Sequence, residues 1–239
     1  MSHMTEAAHR WAVEPAPRPS VAVSDGSAFP VRRIWCVGRN YSDHAREMGG
    51  DPDREPPFFF AKPADAVVAD GSILPFPAAT GDLHHEVELA VAIGQAGFDL
   101  SPEQALAAIF GYAVALDMTR RDLQAEAKKA ARPWDMGKGF DRSCPIGALR
   151  PAAEIGNVIQ GAIRLVVNDT PRQEGDIADM IWTPAECVAA LSRLVELAPG
   201  DLILTGTPAG VGPVHRGDRL RASIDGVGSL SITYAGSPC

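Results

Sequence analysis

The chain has 239 residues, 46% hydrophobic and 22% charged, which fits one large domain or two small ones and excludes extensive disorder. Its 23 glycines and 20 prolines exceed the roughly 12% that these residues usually make up together, so turns and short strands are favoured over a helical bundle. The formal net charge of −8, with no long basic cluster, argues against nucleic-acid binding. The longest uncharged stretch of the most apolar region, Gln104 to Leu116, is too short to span a bilayer.

Met1-Ser2-His3-Met4 has the look of an expression-vector remnant, and no basic start followed by an apolar segment marks a signal peptide. Cys36, Cys144, Cys187 and Cys239 lack C-x-x-C spacing, so reduced thiols in a cytoplasmic protein are expected. Residues 5 to about 30 are rich in Ala, Pro and Val, and Pro15, Pro17 and Pro19 exclude a helix there. An extended or loosely packed arm is expected over residues 1–30, followed by one main domain over 31–239.

The first convincing element is a strand over 33–38. It runs into a short helix over 40–49 with polar starters and a Gly stop. A mobile connection over 49–57 leads to a strand at Phe58–Pro63. Residues 86–93 alternate cleanly and predict a strand. Ser101-Pro102-Glu103-Gln104 gives an N-cap, a Pro at the first helical position and a capping-box Gln, opening a helix to about Ile109. A strand over 112–118 and a helix over 119–130 follow. Thr183-Pro184-Ala185-Glu186 opens another helix that stops before Pro199-Gly200. Strands at 164–167, 202–204, 219–224 and 229–234 complete the pattern, the last two joined through Asp225-Gly226 as a hairpin. The expected fold is a strand-dominated α/β (α+β) mixture with Greek-key-like or barrel closure.

Glu86 and Glu88 stand two apart on a predicted strand, so their side chains leave one face while Val87, Leu89, Val91 and Ile93 leave the other. A solvated strand face is the plainer reading. Ala90 and Ala92 continue the Glu face, however, and such small side chains indicate a covered one. Two covered carboxylates repel each other unless a cation lies between them. Asp117 ends an otherwise apolar strand, where an unpaired charge is costly, and is a candidate third ligand. Three carboxylates with no Cys ligand cluster favour Mg²⁺ or Mn²⁺ over Zn²⁺. His84 and His85 are candidate outer donors to this group.

His44 and Glu47 lie at i and i+3 on the short helix, an arrangement that orients an imidazole as a general base, although taken alone an exposed ion pair is the plainer reading. Lys138 sits between glycines that allow close approach. The turn 205–212 is Gly-rich but lacks phosphate-loop spacing.

Taken in order, Val37-Gly38-Arg39-Asn40-Tyr41, His44-x-x-Glu47, Phe60-x-Lys62-Pro63, His85-Glu86-Val87-Glu88-Leu89, Asp117-Met118-Thr119-x-Arg121-Asp122, Lys138 and Thr205-Gly206-Thr207-Pro208-x-Gly210-Val211-Gly212 resemble the fumarylacetoacetate hydrolase family over roughly residues 30–236. Residues 53–66 look most like the fumarylpyruvate hydrolases of gentisate-type aromatic catabolism. The resemblance implies a mixed β-sandwich roll, a homodimer, and Mg²⁺ or Mn²⁺ held by Glu86, Glu88 and Asp117. It also implies a lid carrying His44 and Glu47. Lys138 is expected to be catalytic with these two. Arg39, Lys62, Arg121, Gln124, Gly206 and Thr207 are expected on the substrate.

The activity it implies is hydrolysis of a C–C bond in a 2,4-dioxo acid, fumarylpyruvate to fumarate and pyruvate. Acylpyruvate hydrolysis, oxaloacetate decarboxylation and non-catalytic cation-dependent binding are the alternatives. Arg54, Lys62 and Arg39 are equal candidates for the distal carboxylate.

Overall fold

The computed structural model describes residues 11–42 and 55–236. Most of the expected 40–49 helix, including His44 and Glu47, lies outside the described residues, as do Arg54 and Cys239. The strands are β1 (Ser20–Ala22), β2 (Ala28–Pro30), β3 (Arg33–Gly38), β4 (Phe58–Lys62), β5 (Val67–Ala69), β6 (Ile73–Leu74), β7 (Leu83–His85), β8 (Val87–Ile93) and β9 (Ile109–Leu116). They continue as β10 (Thr119–Arg120), β11 (Cys144–Ile146), β12 (Arg150–Pro151), β13 (Ala162–Val167), β14 (Thr170–Asp176), β15 (Asp201–Leu204), β16 (Gly212–Val214), β17 (Arg219–Ile224) and β18 (Gly228–Tyr234). The helices are α1 (Pro102–Ala108), α2 (Arg121–Lys129), α3 (Asp135–Lys138), α4 (Ala152–Ile155) and α5 (Pro184–Ser192). None is long and apolar enough to cross a membrane.

A mixed sheet runs β4-β3-β15-β8-β9-β11-β5, with β12 beside β9. A second sheet runs β14-β13-β17-β18-β6, and a three-stranded one runs β10-β7-β16. The fold is the expected strand-dominated α+β sandwich roll. Strand β8 is buried along its whole length, which explains its two chemistries. Val87, Leu89, Val91 and Ile93 belong to one core with Leu165, Leu220, Leu230 and the α5 residues Val188 and Leu191. Ala90 and Ala92 belong to a second, with Val21, Val23 and Phe29. The small side chains on the second face leave room for that cover.

Two capping boxes form as the sequence indicates, Ser101 with Gln104 and Thr183 with Glu186. Cys36, Cys144 and Cys187 are buried free thiols. Residues 20–30, read as part of an extended or loosely packed arm, fold as the β1–β2 hairpin. Val21, Val23, Phe29 and Val31 recur at strand spacing and are buried, and that apolar face outweighs the proline-rich run before it. Helix α2 begins at Arg121 rather than Thr119, because Thr119 pairs with His84 of β7 and its hydroxyl donates to Glu86 Oε1 at 3.3 Å. Strand β9 begins at Ile109, directly after α1.

Candidate active site

The end of the β8–β9 ladder assembles the acidic group. Glu88 pairs in register with Ala115, and Asp117 N–H donates to Glu86 O at 2.9 Å, so residues 86, 88 and 117 share one face. All three are buried, and an oxygen from each lies within 4.8 Å of the others. Three carboxylates this close cannot all stay ionised without counter-charge.

Among the described residues, three cations supply it. Lys138 Nζ donates to Asp117 Oδ2 at 2.6 Å and to Glu86 Oε2 at 2.9 Å. Burial alone would lower its pKa, but Asp117 and Glu86 outweigh it and hold the ammonium above the usual lysine value. Arg121 Nη2 donates to Glu86 Oε1 at 2.5 Å. Lys62 Nζ lies 2.7 Å from Asp117 Oδ1 and donates to the carbonyls of Met118 at 3.1 Å and Lys138 at 2.5 Å. Lys62, expected against substrate, is therefore sealed beneath Asp117 and serves as counter-ion.

The residues fit a hard divalent cation on two observations. Asp117 Oδ1 is buried and, despite the nearby Lys62 charge, receives no aligned hydrogen bond. Glu88 has no lysine or arginine pair among the described residues. Its Oε2 accepts from Gly206 N–H at 2.6 Å, while burial and then Asp117 and Glu86 push its pKa well above the ordinary carboxylate value. An all-oxygen donor set with an under-compensated carboxylate suits Mg²⁺ or Mn²⁺.

Glu86 and Glu88 open into a cleft that is also lined by Arg39, Arg121, Gln124, Lys128, Lys138 and Thr207 and by the rings of Phe58, Phe60 and Trp134. Gln124 Oε1 accepts from Arg121 Nη1 at 2.6 Å, which leaves the amide NH₂ as the donor. Thr207 Oγ1 accepts from Gln173 Nε2 at 2.8 Å, so its own O–H is left to donate. Gly206 takes φ +99°, and a β-carbon there would collide with Asn40; the turn needs glycine to bring its N–H onto Glu88.

Neither histidine reaches the carboxylates directly. Arg121 Nε donates to His84 Nδ1 at 3.4 Å, while His84 Nε2 faces Asp82 Oδ1 at 2.8 Å, so His84 steadies Arg121. His85 Nδ1 lies 2.9 Å from Gln173 Oε1, and burial pushes its pKa down to about 4, so it is neutral. Gln173 is one residue that sequence reasoning missed. It also accepts from Val87 N–H at 3.1 Å and donates to Pro208 O at 2.9 Å, tying the Glu strand to the Thr207 turn. Its only signal was a lone amide in a polar strand, which carries no chemistry by itself.

Comparison with known proteins is consistent with this geometry. Residues 33–234 match the model of the fumarylacetoacetate (FAA) hydrolase C-terminal family. The oxaloacetate tautomerase YcgM of Escherichia coli is 44% identical over 199 residues, covering 83% of this chain and 90% of that protein. The human mitochondrial oxaloacetate tautomerase is 41% identical over 210 residues, covering 85% and 95%. A crystal structure of fumarylpyruvate hydrolase from Pseudomonas aeruginosa, in complex with Mn²⁺ and pyruvate, superposes with a TM-score of 0.92 at 52% identity, covering 95% of this chain and 100% of that one.

Proposed function

Since the chain belongs to the fumarylacetoacetate hydrolase family, we propose that it is a metal-dependent hydrolase of the C3–C4 bond in a 2,4-dioxo acid, with fumarylpyruvate as substrate and fumarate and pyruvate as products. The observation that carries this reading is the buried acidic floor of the cleft, where Glu86, Glu88 and Asp117 are faced by Lys62, Lys138 and Arg121. The 52% identity to the Pseudomonas aeruginosa fumarylpyruvate hydrolase supports the choice of substrate.

Glu86, Glu88 and Asp117 would hold Mg²⁺ or Mn²⁺, which when bound supplies Lewis-acid polarisation of the substrate's 1-carboxylate and 2-oxo oxygen. The chain's own groups do the rest. Arg121, Lys138, the Gln124 amide and the Thr207 hydroxyl present donors and positive charge where the 2-oxo oxygen gains negative charge. The proposed general base is His44 with Glu47 as its partner, both outside the described residues: it takes a proton from water as the water oxygen bonds to C4. The C3–C4 pair then passes to C3 and, through the 2-oxo group, gives the enol of pyruvate, which is reprotonated at C3. Aromatic walls from Phe58, Phe60 and Trp134 limit water in the cleft.

Tautomerisation of oxaloacetate is the second reading, favoured by the names of relatives 41–44% identical. It needs the same stabilised enol but no attack by water. A panel of fumarylpyruvate, acetylpyruvate and enol-oxaloacetate, each with Mn²⁺ and with EDTA, tests both. Fumarylpyruvate should disappear fastest, with pyruvate formed, and EDTA should abolish it. Rapid ketonisation of oxaloacetate with fumarylpyruvate intact would replace the hydrolase reading. No turnover of any substrate would leave a cation-dependent binding protein.

A further inference from the structure

Helix α2 presents Arg121, Gln124 and Lys128 to one cleft, at i, i+3 and i+7. That spacing puts all three on one helix face. Arg121 and Gln124 belong to the acidic floor. Lys128 lies seven residues further on, about 10 Å along the axis. Fumarylpyruvate joins its two carboxyl carbons through six single or double bonds, roughly 7 Å when extended. Helix and substrate are therefore commensurate, with a cation two turns beyond the floor.

Arg39 joins it on the same cleft. Among the described residues, neither Lys128 nor Arg39 has a carboxylate partner. Each instead rests on an aromatic ring: the Lys128 ammonium lies 4.9 Å from the Trp134 centroid and the Arg39 guanidinium 6.0 Å from that of Phe58. Phe58 and Trp134 meet edge to face at 5.4 Å, so one aromatic pair carries both cations. Gly38 admits the Phe58 ring where a β-carbon would collide with it, and Arg39 is held at φ +58°, a costly conformation for a long side chain. Burial first, then repulsion from Arg121, Arg39 and Lys138, lowers the Lys128 pKa. An anion bound here relieves that repulsion.

We propose that Lys128 and Arg39 form a distal anion subsite that binds the second carboxylate and selects dicarboxylic dioxo acids over monocarboxylic ones. This rests on the hydrolase reading above and deepens it. Of the three cations the sequence left equal, Lys62 is occupied beneath Asp117, and Lys128 was not among them.

The test compares kcat/KM for fumarylpyruvate with that for acetylpyruvate, which has no distal carboxylate, in Lys128→Gln, Lys128→Arg and Arg39→Gln. The fumarylpyruvate to acetylpyruvate ratio should fall at least tenfold in Lys128→Gln, mostly through KM, and recover in Lys128→Arg. Arg39→Gln should lower it independently. A ratio within twofold of wild type in both Gln variants overturns the subsite. If the wild type turns over neither substrate, the hydrolase reading fails, and calorimetry with fumarate and the Mn²⁺-loaded protein decides the subsite alone. Weaker fumarate binding by Lys128→Gln supports it; equal binding overturns it.

Discussion

Glu88 sits in the acidic floor with its Oε2 on Gly206 N–H and with burial and two neighbouring carboxylates acting against its charge. Replacing it with the isosteric neutral amide removes that repulsion but also a donor to the cation. Glu88→Gln should therefore leave the metal-free protein as stable as wild type or more so, while weakening Mn²⁺ binding by at least about 100-fold. Metal titration followed by calorimetry, beside thermal unfolding of the apo protein, checks both halves. Unchanged Mn²⁺ affinity would remove Glu88 from the ligand set. This residue was legible because two acids share a strand face with Ala90 and Ala92, whose small side chains indicate a covered face. Lys128 was not, since one lysine of the Lys128-Lys129 pair on a polar helix looks like solvent-facing charge until the cleft is formed. Gln173 was invisible for a related reason, its partners His85, Val87 and Thr207 being remote in sequence.

Helix α2 has no side-chain cap from its N-cap residue, Arg120. Asp122 takes over instead, accepting from Thr80 Oγ1 at 2.7 Å, Gly81 N–H at 2.9 Å and Leu123 N–H at 2.9 Å. Burial opposes its charge, but those three bonds outweigh it and lower its pKa. Asp122→Ala should cost about 1 kcal/mol, or about 2–4 °C in Tm. A carboxylate depressed by folding contributes fully above its ordinary value and loses that contribution as pH falls through the folded one. The gap between Asp122→Ala and wild type should therefore close in strongly acidic solution, which unfolding curves across pH measure. A pH-independent gap would assign the effect to packing. At this scale the sequence marked the helices that carry capping boxes and the strands with clean alternation. It did not mark β7, β10 and β16, each two or three residues long, because such strands exist only through one another. Strand β14 was hidden too: Pro171 and a polar run suit an exposed edge, and its turn uses Asn168 and Asp169 at positive φ instead of glycine.

For the whole molecule, a cation that binds only the folded chain must raise its stability. Mn²⁺ at about 100 times its dissociation constant adds about 2.7 kcal/mol, which for a chain of this size is about 5–10 °C in Tm. The shift should vanish in Glu88→Gln and on addition of EDTA; a shift that persists in Glu88→Gln places the ion elsewhere. The two halves of the sandwich meet on β8 and β9, so the strands that hold the core together also end in the acidic floor, and the stability and chemistry of the protein are read at one place. What distinguishes the proposed reaction from a simple rearrangement of the same enol is the entry of water at C4. The most direct measurement is therefore turnover of fumarylpyruvate by the Mn²⁺-loaded protein in water enriched in oxygen-18. The account predicts pyruvate and fumarate in equal amounts, with one labelled oxygen in the newly formed fumarate carboxylate. Intact fumarylpyruvate, alongside rapid ketonisation of enol-oxaloacetate by the same preparation, would contradict it.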